Sequence, residues 1–314
     1  MKKFLAVLLS ACLLIGCLAG CGTQTSDNGK PTVVTTIFPL YDWAKIILGE
    51  QGENYNLTYL LDSGADLHNF QPTAQDIALI SSCALFVYIG GESDEWVEDL
   101  ISAGDGNLNG LCMMDSVSTL EEAVVEGMQT EEEEEETAAD EHIWLSLRRA
   151  QDMVNALCEA LCGLDSANAD TFRANAEAYT ESLAKLDQDY AAMRAEAKKD
   201  TILVADRFPF RYLAEDYDLN YYAAFPGCAA ASDVSFETVS FLSEKLKELQ
   251  LPAVLIIDGG DGKIAETVTQ TAATGAKILT LDSCQCVSET AVGQGACYYD
   301  FMVSNLEILR EALG

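Results

Sequence analysis

Two histidines are the side chains of this sequence best suited to bind a metal ion. His68 and His142 are the only histidines among 314 residues, and imidazole is the commonest protein donor to divalent metals near neutral pH. Each follows an acidic, loop-like stretch, where a side chain is presented rather than buried. A single histidine beside an aromatic residue is more often a packed core residue than a ligand, so the metal-site hypothesis needs further donors.

Three aspartates are candidates for those donors. Asp206, Asp258 and Asp282 each follow a short apolar stretch, which is typical of a buried strand. One aspartate at such a position is ordinary turn chemistry. Open α/β sheets bind their ligands at the carboxyl ends of the strands. Three acids at that edge therefore indicate a rim that faces a cation.

Strand and helix patterns alternate along both halves of the chain. Predicted strands occupy residues 32–38, 57–61, 84–89, 201–205, 219–224, 253–257 and 277–281. Predicted helices occupy 41–48, 144–162, 210–217, 235–249, 262–274 and 301–313, and a further one opens at 72–76. This alternation predicts an α/β fold in which helices flank parallel sheets. It also places His68 just beyond the end of a strand.

One much longer helix is predicted near the middle of the chain. Apolar residues recur every three or four positions from Phe172 to Met193, which predicts a helix of roughly 30 residues and ~45 Å. The repeat spans too few heptads to require a coiled coil. We therefore expect two lobes, 32–165 and 200–314, joined by a backbone helix within 166–199.

The N-terminal residues predict export and a lipid anchor. Two lysines precede an apolar stretch, 4–14, that is too short for a comfortable membrane span. The sequence LAGC at 18–21 then resembles a bacterial lipobox, and a second match lies four residues earlier. We expect a signal peptide at 1–20, lipidation of Cys21 and a polar tether at 21–31. The protein would then be held on the outer face of the cytoplasmic membrane.

The charge of the chain limits its partners. The formal net charge is −33, which argues against nucleic acid because phosphates would be repelled. An acidic loop at 121–141 contains six consecutive glutamates. Such a block repels itself and is typical of a solvated segment, although weak collection of cations is an alternative role.

The cysteines do not define a metal site by their spacing. Cys158 and Cys162 lie about one helical turn apart, and Cys284 and Cys286 form a C-x-C pair. No further cysteines stand at the spacing of a zinc site, so a soft-metal site at either pair is the less favoured alternative. Export permits disulfides, but their pairing cannot be read from the sequence.

Four stretches of the sequence resemble one known family. They are VVTTIFPLY at 33–41, GADLHNFQPT at 64–73, DEHIWLS at 140–146, and VAD at 204–206 followed by YLA at 212–214. With the lipobox and the long helix, they make the chain similar to the metal-binding lipoproteins of zinc and manganese ABC importers, the cluster A-I solute-binding proteins. The resemblance covers the whole chain after the leader. It implies a monomer with two lobes.

The resemblance also implies a ligand set. His68 and His142 match the family's two histidines of the N-terminal lobe. Asp206 falls where members carry a histidine or a glutamate, and Asp282 falls where many carry a carboxylate. Asp258 is a candidate supporting acid or further ligand, although a turn residue is the more common role.

Some departures from the family pattern affect this expectation. Leu67 replaces the proline that is usual before the first histidine. The spacing from Asp206 to Tyr212 is slightly longer than usual, so the third ligand is open to a small shift. The acidic loop holds no histidine where zinc-type relatives carry a His-rich segment.

The expected donors favour zinc. Two imidazoles and two carboxylates suit Zn²⁺ at about 2.0–2.2 Å, and the lack of a thiolate argues against Cu(I). Carboxylate-rich sites also suit Mn²⁺, which is the alternative cargo. Because imidazole must be neutral to bind a metal, affinity should fall below about pH 6.5.

The resemblance implies capture in a cleft between the lobes and delivery to an ABC permease, not catalysis. A zinc-dependent hydrolase is a less favoured alternative because the sequence has no H-E-x-x-H or comparable cluster. A surface adhesion lipoprotein is a third hypothesis, for which the cleft would be incidental.

Overall fold

A computed structural model describes residues 29–103, 108–130, 138–229 and 233–314. The predicted signal peptide at 1–20, Cys21 and the glutamates at 131–136 lie outside these residues. Residues 31–314 form one compact unit, which contains both sheets of the fold. No helix in the described part of the chain is long and apolar enough to cross a membrane.

The N-terminal sheet has four parallel strands in the order β2-β1-β3-β4. Its strands are β1 (Thr32–Thr35), β2 (Asn56–Tyr59), β3 (Leu85–Tyr88) and β4 (Gly110–Cys112). The helices that accompany it are α1 (Phe38–Leu48), α2 (Ala74–Ser82) and α3 (Glu95–Ala103). Thr73 caps α2 in a capping box with Asp76, as the sequence around 72–76 predicts. Strand β4 and helix α3 were not predicted. Strand β4 has only three residues, which is too few to show a strand pattern.

The C-terminal sheet also has four parallel strands, in the order β6-β5-β7-β8. Its strands are β5 (Thr201–Phe208), β6 (Asn220–Pro226), β7 (Ala253–Ile257) and β8 (Lys277–Leu281). Its helices are α6 (Arg211–Asp216), α7 (Phe236–Glu248), α8 (Lys263–Ala272), α9 (Glu289–Gly293) and α10 (Tyr298–Leu313). The two sheets with flanking helices confirm the predicted α/β fold class.

Two helices lie between the sheets in sequence, α4 (Leu147–Leu164) and α5 (Ala169–Glu196). Helix α4 continues through Gly163, where the sequence pattern predicted its end. Helix α5 has 28 residues, which corresponds to about 42 Å, and its buried residues recur at the predicted spacing. It contacts elements on both sides: Asn175 donates to the carbonyl of Ile47 in α1 at 2.9 Å, and Tyr190 donates to that of Met302 in α10 at 2.6 Å.

Strand β5 differs from its prediction in a way that affects the site. It runs three residues past Ala205 to Phe208, so Asp206 lies within the strand and not after it. The pairing with β6 shifts between Val204 and Arg207. Ala205 and Asp206 together face the single residue Ala224, which is the geometry of a β-bulge. Asp206 is thus one of the two residues of the bulge.

Candidate metal site

His68 lies in a short helical turn, Leu67–Asn69, that follows strand β2. The turn is held from two directions. Leu67 is buried in the core, and the carboxylate of Asp66 accepts a hydrogen bond from the backbone N–H of His68 at 3.0 Å. Asp66 also forms an ion pair with Arg207 in β5. The C-terminal lobe therefore helps to fix the loop that carries His68.

His142 is fully buried at the start of the turn Ile143–Leu145. Oδ1 of Asp140 accepts from its backbone N–H at 2.8 Å and lies 3.0 Å from its Nδ1. Trp144, two residues further along, donates from its indole to the carbonyl of Ser283 at 2.7 Å. Contacts with both lobes thus hold the turn that carries this imidazole.

The two imidazoles converge on one point. Nε2 of His68 lies 3.2 Å from Nε2 of His142. Two nitrogen ligands of a tetrahedral zinc ion, each about 2.05 Å from the metal, are about 3.3 Å apart. The observed separation therefore matches that of two ligands of one zinc ion.

A buried carboxylate stands behind each imidazole. Nδ1 of His68 lies 3.0 Å from Oε1 of Glu141 and 2.9 Å from Oγ of Ser93, and Nδ1 of His142 lies beside Asp140. Glu141 and Asp140 are both 1% exposed. A carboxylate that accepts the Nδ1–H of a histidine leaves Nε2 as the metal donor and raises the basicity of the ring.

Electrostatics at the site favour a cation. Burial disfavours the charged imidazole of His142, but Asp140 and Glu141 outweigh it and raise the pKa of His142 above its ordinary value. Burial likewise opposes ionisation of Glu141, yet the hydrogen bond and the charge of His68 hold the pKa of Glu141 below its ordinary value. Glu141 is thus favoured in its ionised form beside the two imidazoles, and a negative charge there favours a divalent metal.

Asp206 lines a cavity of about 440 Å³ together with His68, Arg207 and Cys228. Oδ1 of Asp206 accepts from the N–H of Arg207 at 2.9 Å. Its Oδ2 points to Gly260, where an added methyl group would lie only 2.5 Å away. Burial raises the pKa of Asp206. The predicted third ligand is therefore in the same cavity as His68, but it is aimed at the loop after β7.

Asp282 and Asp258 lie together at the ends of β8 and β7, as predicted. Asp282 accepts from the N–H of Cys284 at 2.7 Å, and Asp258 accepts from that of Ser283 at 2.5 Å. Burial and then the charge of Asp258 raise the pKa of Asp282 to about 7. Neither aspartate is among the residues that line the cavity around His68. The ligand set His68, His142, Asp206 and Asp282 stays a prediction.

Cys228 lies at the site although the sequence analysis did not select it. Its Sγ and the donor nitrogens of His68 and His142 all lie within 4.8 Å of one another. The expected set without a thiolate overlooked this residue. Burial, then the charges of Glu141 and other acids, raise the pKa of the Cys228 thiol. The only sequence signal was its place just after a strand, which it shares with the aspartates.

The other group of three donor residues in the described part of the chain contains Cys158, Glu159 and Cys162. The two sulfur atoms are 4.0 Å apart on α4, so the predicted one-turn spacing brings them together. Glu159 instead forms an exposed ion pair with Arg173 at 2.8 Å. A soft-metal site there stays the less favoured alternative.

Comparison with known proteins places the chain in a family. Residues 33–312 match the model of the family described as zinc-uptake complex component A, periplasmic. The chain belongs to this family. Membership confirms the resemblance drawn from the four motifs.

Several relatives share most of this chain. The zinc-binding protein AdcA of Streptococcus pyogenes is 30% identical over 299 residues, which cover 91% of this chain and 57% of that protein. The high-affinity zinc uptake system protein ZnuA of Bacillus subtilis is 27% identical, with 97% of this chain and 96% of that protein covered. The chain thus spans less than two thirds of the streptococcal relative and nearly all of the Bacillus one.

Solved structures share the two-sheet fold. Zn(II)-bound AdcA of Streptococcus pneumoniae has a TM-score of 0.74 at 25% identity, over 91% of this chain and 58% of that one. The metal-dependent lipoprotein YcdH of Bacillus subtilis has a TM-score of 0.75 at 26% identity, over 91% and 100%.

Proposed function

We propose that this family member captures zinc outside the cytoplasm and delivers it to an ABC importer. The observation that carries the proposal is the 3.2 Å separation of the two Nε2 atoms of His68 and His142. Each ring has a buried carboxylate on its other nitrogen, so both lone pairs are free to meet one ion. The names of the zinc-binding and zinc-uptake relatives support the same cargo.

Zinc fits the two imidazoles better than manganese does. Zinc accepts a tetrahedral set of nitrogen donors, whereas manganese prefers oxygen-rich octahedral sites. Mn²⁺ is the second candidate because Asp206 lines the same cavity. If the site has the four expected ligands, Asp206 and Asp282 would have to move toward the histidines. Their oxygens are not among the donor atoms that lie within 4.8 Å of both imidazoles.

Export and anchoring complete the proposed function. The lipobox at 18–21 would place a lipid on Cys21 and hold the protein at the outer face of the cytoplasmic membrane, next to its permease. A relative from Streptococcus pneumoniae, 28% identical, is named a zinc-binding lipoprotein. The proposed activity is binding and release, with no chemical change to the cargo.

Titration of the purified protein with Zn²⁺ and Mn²⁺ tests the proposal. We expect one equivalent of Zn²⁺ to bind with sub-micromolar affinity and Mn²⁺ to bind more weakly. His68→Ala and His142→Ala should lose this binding, while Asn69→Ala, from the same cavity wall, should keep it. The absence of sub-micromolar binding to either metal would refute metal capture.

A growth experiment separates transport from the adhesion and hydrolase alternatives. A strain that lacks the gene should grow poorly only when zinc is scarce, and added zinc should restore it. Loss of attachment without a zinc phenotype would favour adhesion. A hydrolytic activity that depends on added zinc would favour the enzyme.

A further inference from the structure

We propose that Cys228 is a metal ligand, so that its thiolate joins the imidazoles of His68 and His142 around the ion. The proposal rests on the function proposed above, capture of a metal at this site. It differs from the expected ligand set, in which the C-terminal lobe contributes only carboxylates.

The distances support a site with two nitrogens and one sulfur. The three donor atoms of His68, His142 and Cys228 lie within 4.8 Å of one another. Sulfur and nitrogen ligands of a tetrahedral zinc ion are about 3.6 Å apart for bonds of about 2.3 and 2.05 Å. Closing the difference takes at most about 1.2 Å. No carboxylate of the described residues joins both imidazoles in a comparable group.

The backbone around Cys228 keeps the thiol at this position. Its N–H donates to Oε1 of Glu122 at 3.0 Å. Gly227, directly before it, lies against the ring of His142, since an added methyl group would be 3.0 Å from Cε1. Sγ of Cys228 is also 3.9 Å from Oε1 of Glu141, the carboxylate that holds His68. The end of strand β6 is therefore fitted into the histidine site.

The carboxylate of Asp206 is engaged elsewhere in the same cavity. The bulge in β5 turns it toward Gly260, and it accepts from the N–H of Arg207. The donor that the C-terminal lobe brings closest to both histidines is thus the sulfur of Cys228.

A thiolate changes which metals the site takes. As the metal–sulfur bond forms, the Sγ–H bond of Cys228 breaks and its proton passes to water. The resulting thiolate contributes one negative charge to the bound divalent ion. Thiolate is a soft donor that selects zinc and cadmium over manganese. The proposed cargo class is therefore borderline and soft divalent metals, which sharpens the choice between Zn²⁺ and Mn²⁺.

Cobalt spectroscopy of the full-length protein tests the proposal directly. Co²⁺ replaces Zn²⁺ in tetrahedral sites, and a thiolate ligand gives an intense charge-transfer band in the near ultraviolet. We expect the parent protein and Cys83→Ser, a matched control outside the cavity, to show this band. Cys228→Ser should lose the band. Its zinc affinity should fall by more than about 100-fold, since losing a residue that only hydrogen-bonds to a ligand typically costs about 10–100-fold. Cys228→His should lose the band but keep tight zinc binding.

The outcomes separate this proposal from the function on which it rests. A parent protein that binds Co²⁺ and Zn²⁺ without the thiolate band would overturn the role of Cys228 and leave zinc capture standing. Unchanged zinc affinity in a folded Cys228→Ser protein would overturn it as well. If no variant, including the parent, binds either metal, the proposed function itself fails. If Cys228→Ser does not fold, Cys228→His decides the question, because a band that survives in this variant would come from the Cys158–Cys162 pair and would overturn the proposal.

Discussion

The ring of His142 packs against the backbone of Gly227, with no room for a side chain between them. A methyl group added to Gly227 would lie 3.0 Å from Cε1 of His142, 3.2 Å from its Nδ1 and 3.0 Å from the carbonyl oxygen of Phe208. These separations are tighter than ordinary contacts with Cβ atoms. The end of β6 thus acts as a wall that sets the orientation of one histidine.

Gly227→Ala should weaken zinc binding. The added methyl group must displace either the ring of His142 or the end of β6, and a shifted ring no longer aims Nε2 at the shared point. We expect zinc affinity to fall by about 10–100-fold, the usual effect of disturbing the support of a metal ligand. Titration with a competing chelator measures the change. Gly163→Ala is the matched control, because nothing lies within 4 Å of its added methyl group; equal losses in both variants would contradict the interpretation.

Glu141→Gln should also weaken zinc binding. Glutamine keeps the shape of the side chain, but it lacks the negative charge that supports the Nδ1–H of His68. We expect a loss of about 10–100-fold in zinc affinity with little change in fold. Glu159→Gln, at an exposed ion pair, should leave affinity unchanged. An unchanged affinity in Glu141→Gln would show that Ser93, which also contacts Nδ1, is sufficient support.

The α/β fold could be predicted because its signals are local. Strands β7 and β8 occur where runs of apolar residues predicted them, Ala253–Ile257 and Lys277–Leu281. The buried face of α5 follows the spacing read from Phe172 onward. Strand β4 has only three residues, so no periodicity could reveal it.

The site was only partly predictable because it depends on register and on contacts between lobes. His68 and His142 were selected from residue type, and the structure brings their rings together. Asp206 lies in a bulge and points toward Gly260, and no local sequence pattern indicates that register shift. Cys228 comes near the histidines through the end of β6, and no local pattern indicates that approach.

The metal-free protein should be more stable near pH 6 than near pH 8. Burial raises the pKa of Asp94 to about 7. The hydrogen bonds that its Oδ2 accepts from the N–H groups of Ile89 and Gly90 lower the pKa, but burial outweighs them. A folded-state pKa above the unfolded value gives stability that is present at low pH and lost as pH rises through about 7. The pKa values of Asp282 and His142 are also raised, so these two groups contribute to the pH dependence in the same direction.

Asp94→Asn isolates one part of this pH dependence. Oδ1 of Asp94 is buried without a partner among the described residues, so a neutral amide fits where an ionised carboxylate does not. Thermal unfolding in the presence of a chelator should show that the variant gains stability relative to the parent above pH 7, by at most about 4 kcal/mol. If the stabilities of the variant and the parent change in parallel from pH 5.5 to 8, the role of Asp94 is contradicted.

The same pKa shifts refine the expected pH dependence of zinc binding. Protons compete with zinc for Nε2 of His142, and its pKa lies above the ordinary 6.5. As pH is lowered, zinc affinity should therefore begin to fall before pH 6.5 is reached, at a higher pH than free imidazole predicts. Affinity measured at pH 8, 7 and 6 should decline at each step. A constant affinity down to pH 6.5 would show that the neighbouring acids do not control His142.

Arg207→Met should loosen the loop that carries His68. Arg207 pairs with Asp66, and both side chains are mostly buried. Although burial opposes it, the hydrogen bond and charge of Arg207 hold the pKa of Asp66 below its ordinary value. This contribution is lost only as pH falls through that lowered pKa, so it is complete at pH 7.

We expect Arg207→Met to lower the free energy of unfolding by about 2–4 kcal/mol at pH 7, because Asp66 is left without its partner. Arg173→Met breaks the exposed pair with Glu159 and should cost at most about 1 kcal/mol. Denaturant unfolding measures both. Asp66 also accepts from the N–H of His68, so zinc affinity should fall in the first variant alone. Equal stability losses would mean that the pair between the lobes contributes no more than a surface ion pair.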